Sequence, residues 1–157
     1  TQSGRGESMF IKSFEAENGP AAIGPYSPAV KLGDFVYVSG QLPINENNEI
    51  DESIELQTKA CLENMKKLLA TQNLELRHVV KTTVFMTDLA DFDKFNEVYA
   101  QYFEKPYPAR SCVQVAALPK GAKVEIEALV IDTLVYEANM KNKSCSGCQG
   151  SDCSGCR

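Results

Sequence analysis

The chain of 157 residues contains no tryptophan, a single histidine and no long hydrophobic run. Because one imidazole cannot supply several ligands, a multi-histidine metal site is excluded within one chain. We expect that histidine, His78, to be a surface loop residue without a catalytic role. The longest aliphatic stretches, such as residues 128–131, fall far short of the ~20 apolar residues of a membrane-spanning helix. We therefore expect no membrane segment.

Positive charge is also scarce, because 16 Lys and Arg face 21 Asp and Glu, for a net charge of −5. An acidic chain disfavours a protein whose main work is to bind nucleic acid phosphates. The proportions of hydrophobic residues (43%) and charged residues (24%) are those of an ordinary globular protein of about one domain. A core of this size needs no disulfides.

The six cysteines are unevenly placed, since four of them lie within the last 13 residues. Without a regular disulfide framework or a hydrophobic leader, we expect a reducing compartment, the cytoplasm, with an organelle as the alternative. We expect residues 1–8 to be a flexible extension or a cloning remnant and residues 9–138 to form the folded domain. Polar residues 139–157 should then be a flexible cysteine-rich tail.

Hydrophobic periodicity divides the central region into strands and helices. Runs of β-branched and aromatic residues predict strands at 9–11, 35–40, 79–86, 109–115 and 124–135. Helical spacing predicts helices over residues 53–72 and 92–103. This order predicts an α+β fold, in which a mixed sheet has two helices packed on one face. Its other face would be covered by association with further copies.

Three motifs follow one another in this region: AIGPYSP at 22–28, VSGQLP at 38–43 and PARSCV at 108–113. Together they resemble the RidA/YjgF family of reactive-intermediate deaminases over about residues 10–135. The resemblance implies a chorismate-mutase-like fold and a homotrimer with pockets at its subunit interfaces. It also implies hydrolysis of 2-aminoacrylate/2-iminopropanoate and 2-aminocrotonate/2-iminobutanoate to 2-keto acids and ammonia. The reaction needs no cofactor, and pyridoxal-phosphate dehydratases would supply its substrates.

Arg110 is the candidate for binding a substrate carboxylate. It follows two prolines and begins a predicted strand, and the residues alone leave two interpretations open. The guanidinium either forms a fork for a substrate carboxylate or makes a structural salt bridge with Glu125 or Glu127. The resemblance implies the first, because Arg110 falls on the family's substrate-binding arginine.

Glu125 and Glu127 share one face of a predicted strand. Like charges and burial both raise a carboxyl pKa, so one of the two could exchange a proton near neutral pH. The alternative is an exposed strand face with ordinary glutamates. The resemblance implies that Glu125 positions or activates the attacking water, and it assigns no role to Glu127.

The resemblance implies two further substrate-binding residues, Tyr26 and Asn96. The residues themselves suggest three more, which are Ser39, Gly40 and Cys112. By themselves, Tyr26 and Asn96 would be ordinary surface residues. A glycine at position 40 lets a ligand approach the backbone closely. Cys112 lies two residues after Arg110 and therefore on the same strand face. We expect Cys112 to line the pocket and to contribute its backbone N–H.

Four cysteines near the C-terminus lie outside the family pattern. Cys145, Cys148, Cys153 and Cys156 form two C-x2-C pairs with four residues between the pairs. Such pairs have metal-ligand spacing. Three interpretations stay open: zinc or copper(I) held by four thiolates, a redox dithiol pair, and a passive tail.

Two further functions compete with the deaminase. One is RNA cleavage that inhibits translation, which the acidic charge and the lack of a basic stripe disfavour. The other is a trimer that binds small carboxylates without turnover.

Overall fold

The computed structural model describes residues 10–17, 19–20 and 22–145, and the main elements of this part are six strands and three α-helices. The strands are β1 (Ile11–Phe14), β2 (Ala29–Leu32), β3 (Phe35–Gln41), β4 (Val79–Met86), β5 (Ala109–Gln114) and β6 (Val124–Ile131). The helices are α1 (Ile54–Ala70), α2 (Phe92–Tyr99) and α3 (Leu134–Cys145). The strand order is β1-β2-β3-β6-β4-β5, and only the β4–β5 pair is parallel. The predicted α+β class and mixed sheet are confirmed.

One face of the sheet is covered and the other is open. In β6, the alternate residues Val124, Ile126, Ala128 and Val130 are buried. Helix α1 packs on β3 and β6, and α2 packs on α1. On the open face, Phe35, Tyr37 and Val113 are about half exposed. This division follows from the alternation of side chains along each strand, as the sequence predicted.

Helix α1 begins and ends at residues that favour those positions. The Ser53 hydroxyl oxygen accepts a hydrogen bond from the backbone N–H of Leu56 at 3.1 Å, which caps the first turn. Shortly after the last turn, Asn73 adopts a positive φ of 57°, a conformation that asparagine tolerates. The predicted helix over residues 53–72 is confirmed to within two residues at each end.

Helix α2 is shorter than the predicted helix over residues 92–103. It ends at Tyr99, because the N–H groups of Gln101 and Tyr102 bond to carbonyls three residues back, at 3.0 and 3.1 Å. Such bonds tighten the chain into a turn that does not continue the α-helix.

The sequence missed β2 and misjudged the end of β6. Strand β2 has only four residues, too few for a clear alternation. Strand β6 ends at Ile131, because the Asp132 side chain accepts the N–H of Leu134 at 3.1 Å and α3 begins there. The prediction of a strand through residue 135 is therefore wrong at this end. Helix α3 also crosses the predicted boundary between residues 138 and 139.

Glu137 fastens α3 to the rest of the chain. Its carboxylate accepts hydrogen bonds from the Arg77 guanidinium at 2.8 and 3.0 Å and from the Thr133 hydroxyl at 2.7 Å. These partners, Arg77 above all, lower the pKa of Glu137 to about 2. His78 lies 3.2 Å from the same carboxylate and is buried, so the expectation of a surface histidine is wrong.

Parts of the predicted organisation lie outside the described residues. These are the extension at residues 1–8, three tail cysteines (Cys148, Cys153 and Cys156) and the side chain of Cys145. Within the described ranges, no helix combines the length and apolar character that a membrane crossing requires.

Candidate active site

Arg110 lies near the start of β5, the edge strand of the sheet. It pairs with Thr82 of β4, and Thr82 pairs in turn with Ala128 of β6. Directly paired residues point to the same face of a sheet, so Arg110 points to the side that carries the helices. Cys112 pairs with Val84 and shares this face with Arg110, as the sequence predicted.

Helix α2 surrounds the guanidinium of Arg110 with aromatic rings. The guanidinium carbon Cζ lies 4.8 Å from the ring centroid of Tyr99, 5.4 Å from that of Phe92 and 5.6 Å from that of Phe95. Its Nη1 donates a hydrogen bond to Oδ1 of Asn96 at 2.8 Å. These α2 residues share one face of the helix, because they lie three and four positions apart.

The surroundings of Arg110 decide between the two interpretations left open. Among the described residues, no carboxylate oxygen lies within 4.0 Å of its guanidinium. The interpretation as a structural salt bridge to Glu125 or Glu127 is therefore wrong. A guanidinium has five N–H donors, and the bond to Asn96 leaves several of them for an anion.

Glu125 lies on the open face of β6, where it pairs with Phe85. Its carboxyl group lies against the backbone of Gly40, so that a Cβ at position 40 would be 2.7 Å from the carboxyl carbon Cδ. Glycine at position 40 therefore leaves the space that the Glu125 carboxyl group occupies. Burial, and after it the charge of Glu127, raises the pKa of Glu125, in the direction that the sequence predicted.

A cavity of about 590 Å³ lies beside Glu125. Its walls include Tyr26, Ser39, Gly40 and Glu127. The cavity therefore joins residues from β3, β6 and the segment before β2.

Turn chemistry places two of these wall residues. Gly24 has a φ of 124°, a conformation that favours glycine, and the turn that it forms presents Tyr26 to the cavity. The Ser39 hydroxyl donates a hydrogen bond to the carbonyl oxygen of Ser27 at 2.7 Å. This bond ties the end of β3 to the segment that follows the turn.

The candidate residues fall into two groups. The arginine group is Arg110, Asn96 and Cys112, and the glutamate group is Tyr26, Ser39, Gly40 and Glu125. The two groups lie on opposite faces of the sheet, because Arg110 pairs with buried Thr82 whereas Glu125 belongs to the open face. Each group is assembled within one chain, but the two groups do not meet there.

Comparison with known proteins places this geometry in a family. A family model described as endoribonuclease L-PSP matches residues 16–132. The 2-iminobutanoate/2-iminopropanoate deaminase of Escherichia coli K12 is 43% identical over 124 residues, which cover 76% of this chain and 97% of that protein. The crystal structure of RidA from the Antarctic bacterium Psychrobacter sp. PAMC 21119 has a TM-score of 0.74 and 44% identity, over 76% of this chain and 98% of that one. This chain belongs to the RidA/YjgF family.

A further solved structure is that of E. coli TdcF with bound serine, with a TM-score of 0.72 and 45% identity over 76% of this chain and 98% of that one. Both groups of candidate residues lie inside the segment that the family model matches, whereas α3 lies beyond it. Helix α3 is therefore outside the segment that the family model covers.

Cys112 has a poorly reactive thiol in this RidA/YjgF chain. Burial raises the pKa of its thiol, although the charge of Arg110 opposes the rise. A thiol with a raised pKa is mostly protonated at neutral pH and is a poor nucleophile. Cys112 is therefore no candidate nucleophile, and its place in a pocket wall stays a prediction.

The aromatic residues around Arg110 were not predicted from the sequence. Phe92, Phe95 and Tyr99 lie within the helix predicted over residues 92–103, and that prediction gave them no role in the site. The position of Asn96 could have indicated their role. Asn96 has helical spacing from these aromatic residues, so the face of α2 that carries them also carries a residue expected in the pocket. Spacing alone could not indicate which strand residue this face would contact.

Proposed function

We propose that this chain hydrolyses reactive 2-imino acids, and the enamines that tautomerise to them, to 2-keto acids and ammonia. The observation that carries the proposal is the half-buried guanidinium of Arg110, which bonds to neutral Asn96 and meets no carboxylate in the described part of the chain. A partly buried cation without a protein anion favours binding of an anionic substrate. The name of the E. coli relative supports the substrate class.

The arginine group binds the substrate, and the glutamate group transfers protons. Arg110 binds the substrate carboxylate through its remaining N–H donors. Glu125 accepts a proton from a water molecule while the water oxygen bonds to the C=N carbon. Glu125 then gives this proton to the imine nitrogen, which completes a carbinolamine with a hydroxyl and an NH2 group on one carbon. The hydroxyl proton of the carbinolamine next passes through Glu125 to the nitrogen. The C–N bond breaks with its electron pair on the nitrogen, so ammonia leaves and the C=O bond forms. Positioning and proton transfer suffice, because such imines hydrolyse readily.

We infer a homotrimer in which each pocket joins the arginine group of one copy to the glutamate group of its neighbour. The opposite placement of the two groups supports this assembly, since one chain cannot bring them together. The half-exposed apolar residues of the open face provide surface for neighbouring copies to cover.

A coupled assay of the purified protein tests the function. A threonine or serine dehydratase generates the imino acid, and the rate of 2-keto acid formation is followed with and without this chain. We expect a faster release of keto acid with both amino acids. A rate equal to the uncatalysed hydrolysis would contradict the deaminase proposal, and binding of 2-oxobutanoate without turnover would favour the carboxylate-binding trimer.

Mixed assemblies test whether the site is shared. Arg110→Ala and Glu125→Gln are each expected to be inactive, and the two proteins are unfolded and refolded together. If the pocket joins two copies, about a quarter of the sites in a random mixture receive both intact groups, so activity returns to about that fraction. No recovery, with mixed assemblies present by mass spectrometry, would contradict a shared pocket.

RNA cleavage is the rival activity that the family model's description suggests. The net charge of −5 disfavours it, because a phosphate backbone needs a basic surface. Incubation of the same preparation with labelled single-stranded RNA tests this rival, and we expect no cleavage.

The cysteine tail supports a separate proposal, that its four thiolates bind zinc or copper(I). The support is the spacing of Cys145, Cys148, Cys153 and Cys156 in the sequence. Truncation after Glu137 should remove the bound metal, measured by elemental analysis, and leave the deaminase activity unchanged. A full-length protein that gains no metal after reconstitution under reducing conditions would contradict this proposal.

The proposed cellular setting follows from the substrate. Reactive imino acids form where pyridoxal-phosphate dehydratases act, so we place this chain with those enzymes in the cytoplasm. Fractionation of cells that express the chain tests this placement.

A further inference from the structure

Tyr99 lies between the sheet and the Arg110 guanidinium. Its ring centroid is closer to the guanidinium carbon, at 4.8 Å, than the rings of Phe92 and Phe95 are. Its hydroxyl shares a hydrogen bond of 2.8 Å with the hydroxyl of Thr82, and both of these side chains are buried. Thr82 is also the strand partner of Arg110 across the β4–β5 pair. The ring is therefore fixed at one end by α2 and at the other by the strand next to Arg110.

A fixed ring restricts the orientation of the guanidinium that lies over it. The cation is attracted to the ring face, while the bond to Asn96 fixes one nitrogen of the guanidinium edge. Together these contacts order the Arg110 side chain before any substrate arrives. A preorganised fork loses less conformational entropy when it binds a carboxylate.

We propose that Tyr99 is a positioning residue for the substrate carboxylate and acts through Arg110. The proposal rests on the proposed function, because it assumes that Arg110 binds the substrate. Since Tyr99 acts on binding and not on the reacting atoms, its loss should raise KM and leave kcat nearly unchanged.

Phe103 provides a matched control for Tyr99. It is buried like Tyr99, and its ring centroid lies 4.6 Å from that of Tyr99. Phe103 makes no ring contact with Arg110 among the described residues. Phe103→Leu therefore removes a buried ring from the same cluster without removing the contact to Arg110.

The experiment measures KM and kcat in the coupled assay, and the dissociation constant of 2-oxobutanoate by calorimetry. Tyr99→Leu should raise KM and the dissociation constant about tenfold, with kcat within about twofold of the wild type. Tyr99→Phe keeps the ring and should stay within about threefold in KM, as should Phe103→Leu. If Tyr99→Leu does not fold, Tyr99→Met fills the space with a flexible side chain and carries the same expectation.

Each outcome decides between the proposals. Equal effects of Tyr99→Leu and Phe103→Leu on KM and on 2-oxobutanoate binding would overturn the positioning role while leaving the deaminase intact. A wild-type protein that binds 2-oxobutanoate without turnover would overturn the proposed function, and the binding series would still decide the role of Tyr99. A wild-type protein that neither binds 2-oxobutanoate nor turns over the imino acid would overturn both the proposed function and the role of Tyr99.

Discussion

The arginine group and the glutamate group place their ionisable side chains in different surroundings. The Arg110 guanidinium has aromatic rings and the amide of Asn96 beside it, and no carboxylate partner in the described part of the chain. Glu125 lies in a tight fit against the backbone of Gly40, where burial favours its protonated form. The arginine group is therefore suited to bind a substrate carboxylate, and the glutamate group is suited to transfer a proton.

Removal of the binding charge should have the largest effect. Arg110→Ala deletes the bidentate carboxylate contact, and we expect kcat/KM to fall about a thousandfold in the coupled assay. Size-exclusion chromatography should find the assembly unchanged. Arg77→Ala is the control, because this exposed arginine lies outside both groups. Hydrolysis at the wild-type rate in Arg110→Ala would mean that the arginine group has another role.

Removal of the proton acceptor should have the next largest effect. Glu125→Gln keeps the size of the side chain but cannot accept the proton from water, so kcat should fall about a hundredfold with KM little changed. Glu97→Gln makes the same chemical change on the exposed side of α2 and should keep full activity. A rise in KM without a loss of kcat would mean that Glu125 contacts the substrate and does not accept the proton.

Displacement of the carboxyl group should have a smaller effect. In Gly40→Ala the new methyl group would lie 2.7 Å from Cδ of Glu125, and the flexible end of that side chain must move. We expect kcat to fall about tenfold, with little change in Tm because no backbone has to shift. In a double-mutant cycle, Gly40→Ala should add little to Glu125→Gln. Additive losses of kcat would mean that Gly40 affects the activity independently of Glu125.

The smallest expected effect is a shift of the pH profile when Glu127 is replaced. Glu125 works as a base when deprotonated, so kcat/KM falls as the pH is lowered through its pKa, and the raised pKa places this fall above the pH of an ordinary glutamate. Glu127→Gln removes a like charge and lowers the pKa of Glu125. The acidic limb should then move to lower pH, by less than about one unit. A profile from pH 4 to 8 that stays in place would exclude coupling between the two carboxylates.

Local rules made much of the fold predictable. Ser53 marked the start of α1, and the alternation of apolar residues along β6 identified its buried face. The prediction of a strand to residue 135 failed because the chain turns at Asp132, whose side chain accepts the N–H of Leu134, and enters α3. Strand β2 was missed because four residues carry little periodicity.

The candidate site was only partly predictable. The resemblance selected Arg110 and Glu125, and the rule of alternation placed Cys112 beside Arg110. Nothing local indicated that Tyr99 would lie against Arg110, because that contact joins α2 to β5 across the fold. Nor could the spacing of Glu125 and Gly40 show that one presses against the other, since β3 and β6 are neighbours only through the sheet.

The sequence by itself determined the local elements, the acidic charge and the residue types that bind a carboxylate and move a proton, because these depend on neighbours along the chain. The tertiary structure alone decided that Arg110 has aromatic rings beside it and, among the residues that the structure describes, no carboxylate partner. It also decided that the two groups point away from each other. The physical reason is that strand order and register, which join distant residues, fix the face to which each side chain points.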